Sequence, residues 1–141
     1  MHRRLKLDRL ADAVVGVFFD VYNELRFGFL EQVYVGGIAV ELRRHGIPFR
    51  REHRVEVRFR GEPVGFYRAD LLVDSRLIVE VKAGKAFDES ARWQTLNYLR
   101  ATNLPLGLVL HFGLEARFHR VVGPTHRFWR TEPRAPDERC S

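Results

Sequence analysis

The sequence has almost no cysteine, few lysines and no long hydrophobic run. Its one cysteine, Cys140, is the penultimate residue, which excludes an intramolecular disulfide and a cysteine-built metal site. No apolar run approaches the roughly 20 residues of a membrane span, and residues 1–6 lack the apolar segment of a signal peptide. These absences predict an intracellular, cytoplasmic protein with no membrane partner.

The positive charge is carried almost entirely by arginine. Lysine and arginine together number 24 against 18 acidic residues, so the formal net charge is +6. Arginine suits bidentate contact with phosphate, and a basic protein attracts anionic partners. Because coding bias alone can also enrich arginine, the charge favours a nucleic-acid partner without establishing one.

The chain is long enough for one domain with a substantial core. Its 141 residues and 30% charged content are typical of a soluble globular protein. We place the single domain at residues 1–123. Residues 124–141 are rich in proline and arginine and show no periodicity, which predicts a loose C-terminal tail.

Two helices are predicted at the start of the chain. Apolar residues recur at helical spacing from Leu7 to Arg26, and Gly28 follows as the glycine just past a helix. A second helix is predicted from about Leu30 to His45. The pair Gly36-Gly37 within it is unfavourable by roughly 1 kcal/mol per glycine relative to alanine. Such a pair predicts either close packing against another element or a local break.

Five strands and a third helix are predicted after these two helices. The segments, in chain order, are a strand at 49–60, a turn at Gly61-Glu62-Pro63, strands at 64–73 and 76–83, a helix at 89–102 with Asp88 as its N-cap, and strands at 104–112 and 116–122. The strand at 104–112 is almost entirely apolar, as in a strand covered on both faces. A helical crossover before it calls for a parallel neighbour, so the sheet is predicted to be mixed.

A compact group of charged residues lies on the second and third predicted strands. Alternation places Glu80 and Lys82 on one strand face. A hairpin across residues 74–76 can bring Asp70 beside Glu80. Two carboxylates at that range repel unless a cation lies between them or one is protonated. Carboxylate oxygens suit magnesium or manganese; the alternative is a solvated strand face, where Glu-x-Lys is common.

Further candidates lie on the helices and beside Asp70. Glu31 begins the second helix, where the helix macrodipole alone would also favour a carboxylate. Gln94 and Tyr98 are four residues apart and so share one helix face; the alternative is a polar pair on a half-buried helix. Arg68 and Tyr98 are also candidates for contact with nucleic acid.

These residues resemble the motifs of the small bacterial GxxExxY proteins, which belong to the PD-(D/E)XK nuclease-like superfamily. The matching blocks, in chain order, are Gly28-x-x-Glu31-x-x-Tyr34, the strand at 64–73 with Asp70, Ile78-Val79-Glu80-Val81-Lys82-Ala83, Gln94-x-x-x-Tyr98, and the strand at 107–113. Each block is weak alone, but the ordered set is specific and covers roughly residues 10–122.

The resemblance implies both a fold and an activity. The implied fold is α/β (α+β), a mixed sheet flanked by helices with a restriction-endonuclease-like core. The implied activity is a magnesium-dependent endonuclease or exonuclease, with manganese as a substitute and DNA favoured over RNA. Asp70 and Glu80 match the metal-binding acids and Glu31 the accessory acid. Lys82 matches the catalytic lysine, and Gln94 the glutamine that follows it.

This chemistry agrees with the residues themselves. A metal held by carboxylates lowers the pKa of bound water and polarises a phosphate. Lys82, on the face of Glu80, can orient or deprotonate that water, or neutralise the developing charge. Gln94 could position water or a phosphate oxygen.

The sequence is also compatible with other functions. A catalytically silent nucleic-acid-binding or regulatory module could keep the same fold, but it would not need the acids, lysine and glutamine together. A metal site built from His111 and His119, opposed across a hairpin, is less favoured than structural histidines. By analogy with small nuclease domains, a homodimer or partner protein is a further expectation.

Overall fold

The computed structural model describes residues 4–126, so residues 127–141, most of the predicted tail, lie outside the described chain. Within it, helices and strands follow the predicted order. They are α1 Leu7–Leu25, α2 Glu31–Arg44, β1 Phe49–Phe59, β2 Glu62–Val73, β3 Leu77–Ala83, α3 Ser90–Thr102, β4 Leu106–Phe112 and β5 Ala116–Val122. No helix among residues 4–126 is both long and apolar enough to cross a membrane.

The five strands form one sheet in the order β1-β2-β3-β4-β5. The β3–β4 pair is parallel and the other three pairs are antiparallel. This confirms the predicted mixed sheet, because α3 carries the chain back across the sheet between the parallel strands. Every residue of β4 is buried, as the apolar run predicted.

Two hydrophobic clusters cover the two faces of the sheet. Helices α1 and α2 pack on one face against alternate residues of β3, including Val79 and Val81. Helix α3 packs on the other face, where Ile78 belongs to its cluster. The predicted division of β3 between its two faces is therefore confirmed.

The end of α1 differs from the prediction. The helix ends at Leu25, and Arg26 adopts a positive φ of 62° while its N–H donates to the Tyr22 carbonyl. Gly28 also has a positive φ, of 121°, but it lies two residues further on. The glycine therefore shapes the loop between the helices and does not cap α1.

The turn between β1 and β2 is also one residue earlier than predicted. Phe59 pairs with Glu62, so the connection consists of Arg60 and Gly61, whose φ values are 51° and 79°. Two consecutive positive φ values match the turn that follows the natural twist of a hairpin. Pro63 lies inside β2, so the predicted Gly-Glu-Pro turn was wrong.

Close packing explains one of the two adjacent glycines of α2, Gly37, whereas a Cβ atom on Gly36 would have no neighbour within 4 Å in the described chain. The helix runs unbroken from Glu31 to Arg44. A Cβ atom on Gly37 would lie 3.0 Å from Val21 Cγ1 and 3.5 Å from Leu25 Cδ1. The small residue therefore allows α1 and α2 to approach, which selects the first of the two predicted explanations.

Strand β2 changes its orientation at Asp70. Ala69 belongs to the cluster under α3, yet Leu71, two residues later, belongs to the cluster under α1 and α2. The β2–β3 ladder covers only Leu71 to Val73 on the β2 side. Asp70 therefore lies at the point where the two strands separate and simple alternation fails.

Candidate active site

Asp70 is held by the backbone of the neighbouring strand. Its Oδ2 accepts a hydrogen bond of 2.7 Å from the Val81 N–H, at a level where β2 no longer pairs with β3. Burial raises the pKa of Asp70, while the Val81 N–H and the Lys82 charge oppose that rise. The bond fixes this carboxylate beside Glu80.

Glu80 is a buried carboxyl group with an unsatisfied oxygen. Its residue is 4% exposed, and Oε1 has no hydrogen-bond partner among residues 4–126. Burial, followed by the charge of Asp70, raises the pKa of Glu80 to about 8, although Lys82 opposes this. The rise reflects the closeness of two acids that repel each other unless a cation lies between them or one is protonated.

Two tyrosines border Glu80 on the α3 side. Tyr67 lies beside Glu80, and burial, followed by the Glu80 charge, raises the pKa of Tyr67. Tyr98 is 2% exposed, and its hydroxyl has no hydrogen-bond partner in the described chain. Burial and then the Glu80 charge raise the pKa of Tyr98 to about 12. The two rings lie 5.0 Å apart.

Tyr67 was missed by the sequence analysis. It precedes Asp70 by three residues in β2 and packs at the edge of the α3 cluster. Nothing in the sequence separates it from an ordinary strand tyrosine, because its contact with Glu80 depends on the reorientation of β2 at Asp70. Its position on the same strand as a candidate acid was the only available signal.

Lys82 completes the group formed by Asp70 and Glu80. It is half-buried and two residues after Glu80 in β3. Its positive charge acts to lower the pKa of both Asp70 and Glu80, which places its ammonium near the two acids. The structure thus brings together the three residues predicted from the Asp…Glu-x-Lys pattern.

Glu31 lies outside this group. It begins α2 and lines an open cavity of about 500 Å³ with Ala83 and Gly84, at the end of β3. Among residues 4–126, its carboxylate does not join Asp70 and Glu80 in a set of oxygens within 4.8 Å of one another. Glu31 therefore approaches the same end of β3 without direct contact between the three acids.

The turn that precedes Glu31 is fixed by Tyr34. The Tyr34 hydroxyl donates to the Arg26 carbonyl at 2.5 Å and accepts from the Phe29 N–H at 3.1 Å. Its ring stacks on Phe112 with centroids 4.0 Å apart. The glycine, glutamate and tyrosine of this motif therefore form one unit, in which the tyrosine anchors the loop that presents Glu31.

Gln94 and Arg68 are peripheral. Gln94 is exposed on α3, whereas Tyr98, one turn later, is buried beside Glu80. The Arg68 side chain is 64% exposed and its Nη1 lies 3.9 Å from Glu52 Oε2. Its charge still acts to lower the pKa of Asp70, so the guanidinium remains close enough to influence the site.

The histidine pair does not form the arrangement considered from sequence. His111 pairs with Arg117 and His119 with Val109, so the two histidines are not directly opposed. Phe87 packs against both rings, at 5.5 Å and 4.5 Å. Neither histidine belongs to a potential metal-binding set among residues 4–126.

Among residues 4–126, one set of three metal-competent side chains lies on α1 and at the C-terminal end of α2. Asp20, Glu41 and His45 have ligand atoms within 4.8 Å of one another. Glu41 is already paired with Arg44 at 3.0 Å and with His45 at 3.7 Å. Because two members are exposed and the third is ion-paired, ordinary surface pairing accounts for this set.

Asp70 and Glu80 are chemically suited to a divalent cation. They offer hard oxygen ligands, and the unpartnered Oε1 of Glu80 is a buried acceptor that a cation would satisfy. Loss of the Glu80 proton would then be compensated by the cation. The donor set thus fits the metal that the resemblance implies.

Comparisons with known proteins identify the family and the fold. The family model described as the PD-(D/E)XK nuclease superfamily matches residues 8–121. The solved structure of SSO0001 is similar in fold, with 14% identity and a TM-score of 0.51 over 67% of this chain; the match spans 50% of SSO0001. No curated protein matches the sequence. The chain belongs to the PD-(D/E)XK nuclease superfamily.

Proposed function

We propose that this protein is a metal-dependent nuclease that hydrolyses phosphodiester bonds, with DNA as the favoured substrate. The observation that carries the proposal is the buried carboxyl group of Glu80, with its unpartnered oxygen, beside Asp70 and Lys82. Membership of a nuclease superfamily supports the same class of reaction. The motif built around Glu31 and Tyr34 supports a closer relation to the GxxExxY proteins.

Asp70 and Glu80 would hold Mg²⁺, with Mn²⁺ as a substitute. When bound, such an ion supplies polarisation of the phosphate and a lower pKa for bound water. The Val81 N–H keeps Asp70 in place, and the surrounding apolar residues limit access of bulk water to Glu80. Glu31, from the loop anchored by Tyr34, would support the ion through water.

The remaining residues act on water and phosphate. Lys82 is suited to orienting or deprotonating the attacking water, or to neutralising charge on the phosphate. Tyr98 lies beside Glu80 on α3, and the amide of Gln94, exposed one turn earlier on the same helix, would contact a phosphate oxygen. The exposed guanidinium of Arg68 is suited to a phosphate further along the strand.

The proposal is tested by incubating the protein with supercoiled plasmid, linear duplex DNA and RNA. Parallel reactions contain Mg²⁺, Mn²⁺ or a chelator. Cleavage should require a divalent ion and should be lost in Asp70→Asn and Glu80→Gln. Glu115→Gln is the matched control, because Glu115 is an exposed carboxylate paired only with Arg117 in the described structure.

The outcome separates the two main functions. Cleavage that survives in Asp70→Asn, or that Glu115→Gln abolishes equally, would contradict the proposed site. Binding of nucleic acid without cleavage, on every substrate and with either metal, would favour a catalytically silent binding or regulatory module. Light scattering of the same samples determines whether a homodimer is present.

A further inference from the structure

The hairpin of β1 and β2 extends well beyond the rest of the sheet. The two strands pair from Phe49–Val73 to Phe59–Glu62, but β3 joins only the last three residues of β2. Residues 54–68, called the ribbon here, therefore extend beyond β3 as a two-stranded hairpin, with Val55 and Tyr67 at its base packed against the α3 cluster. Its large exposed apolar residues are Val57 at 38%, Phe59 at 62%, Val64 at 61% and Phe66 at 64%.

The ribbon carries arginines that the fold does not neutralise. Arg54 pairs directly with Arg68, and like charges opposite one another destabilise a sheet. The Arg54 guanidinium lies over the Phe66 ring at 4.6 Å, and that of Arg60 lies over Phe59 at 5.2 Å. Within residues 4–126, neither Arg54 nor Arg60 has a carboxylate within 4.0 Å, which distinguishes them from Arg58 beside Glu56.

We propose that the ribbon binds the sugar-phosphate backbone of a nucleic-acid duplex. The inference rests on the proposed nuclease function and adds the surface that holds the substrate. A two-stranded ribbon is of a size that enters the major groove, and exposed guanidinium groups are suited to bidentate contact with phosphate. The rings beneath the guanidinium groups of Arg54 and Arg60 leave their positive charge in place.

The ribbon is continuous with the proposed catalytic residues. Arg68 and Tyr67 belong to β2 and precede Asp70 by two and three residues. A strand of nucleic acid contacting Arg54 and Arg68 would therefore lie close to the acids. This continuity supports a substrate-binding role for the ribbon.

Charge favours nucleic acid over a second copy of the chain as the occupant. The ribbon contains four arginines, at positions 54, 58, 60 and 68, and two glutamates, at 56 and 62. The whole chain has a formal net charge of +6. Two positive ribbons would repel each other, whereas a polyanion releases counterions when it binds arginine.

The test compares Arg54→Gln/Arg60→Gln with the control Arg43→Gln. Arg43 is also exposed and lies over an aromatic ring, Phe49, at 5.2 Å, but it belongs to α2. Binding to a fluorescent duplex is measured by anisotropy in Ca²⁺ between 50 and 200 mM salt. In the double variant the slope of log affinity against log salt should be shallower by about 2, and the affinity at 0.1 M salt should fall about 50-fold. The control should stay within about twofold of the wild type, because a contact outside the interface contributes no counterion release.

Thermal unfolding checks that both variants are folded, and the single variant Arg60→Gln, at the turn, provides a milder change. A double variant with the wild-type salt slope would overturn the proposal. So would unchanged DNA binding with a smaller mass in light scattering, since the ribbon would then be a protein interface. Ribbon-dependent binding by a wild type that never cleaves would instead refute the nuclease while leaving the ribbon intact. If the wild type cleaves but the double variant binds normally, the ribbon proposal is refuted and the nuclease function stands.

Discussion

The most direct test of the site's electrostatics is the pH dependence of stability in Glu80→Gln. The folded protein raises the pKa of Glu80 from 4.5 to about 8. Between these values, folded Glu80 keeps a proton that the unfolded chain has released. The stability that Glu80 contributes is therefore fully present below pH 4.5 and is lost as the pH rises through 8. Asp70, whose pKa is also raised, acts in the same direction.

The magnitude follows from the size of the shift. At 1.36 kcal/mol per pKa unit, a shift of this size is worth up to about 5 kcal/mol. Glu80 is 4% exposed, so solvent screening removes little of it. Glutamine has a similar shape and cannot ionise. The stability of Glu80→Gln relative to the wild type should therefore rise by several kcal/mol, on the order of 3 to 5, between pH 4.5 and pH 8.5.

The assay is urea unfolding at pH 4.5, 6.5 and 8.5 in the presence of a chelator. Glu115→Gln serves as the control, because this carboxylate is exposed and its replacement should give a nearly constant difference. The reasoning would be refuted if the difference in free energy of unfolding between Glu80→Gln and the wild type varied by less than about 0.5 kcal/mol across this pH range. Adding Mg²⁺ at pH 8.5 should stabilise the wild type more than Glu80→Gln. An ion that binds the folded state stabilises the protein, and the variant lacks one of the proposed ligands.

Three further predictions test other parts of the structure. In calorimetric titration with Mn²⁺, Asp70→Ala should bind at least about tenfold more weakly than the wild type, because a charged ligand is lost; equal affinity would exclude Asp70 as a ligand. Lys82→Ala should lose plasmid cleavage by about 100-fold or more while keeping DNA binding in Ca²⁺, and Lys82→Arg should not fully restore it; wild-type cleavage would remove Lys82 from the mechanism. Gly107→Ala should lower the free energy of unfolding by about 1–3 kcal/mol, because the added Cβ would lie 2.5 Å from Thr95 Cγ2; an unchanged urea midpoint would show that Thr95 can move aside.

The order of elements could be predicted because it depends on local patterns. Strand β4 is a nearly all-apolar run, and in β3 apolar and charged residues alternate from Val79 to Ala83, so both were identified from sequence. The turn at Arg60-Gly61 was placed one residue too late because Glu62 and Pro63 look like turn residues. The boundary is decided by the pairing of β1 with β2, and this pairing cannot be deduced from the residue types alone.

The candidate site was predictable in composition but not in detail. The proximity of Asp70 to Glu80 follows from a hairpin between two recognisable strands. The reorientation of β2 at Asp70, and the resulting bond from the Val81 N–H, depend on where the strands separate. The contact between Tyr67 and Glu80 follows from the same reorientation. These features arise from long-range packing on both faces of the sheet, which a single-sequence pattern does not determine.

The candidate site destabilises the fold, which indicates that it serves a function. Ile78, two residues before Glu80, belongs to the cluster under α3, and an apolar residue at position 80 could extend that packing. Glu80 instead leaves a carboxyl oxygen buried and unpartnered, which typically costs about 1–3 kcal/mol. Asp70, held against it by the Val81 N–H, adds to the cost of ionisation. A divalent cation would satisfy both acids at once, so the arrangement that is least favourable for the protein alone is the one best suited to binding a metal.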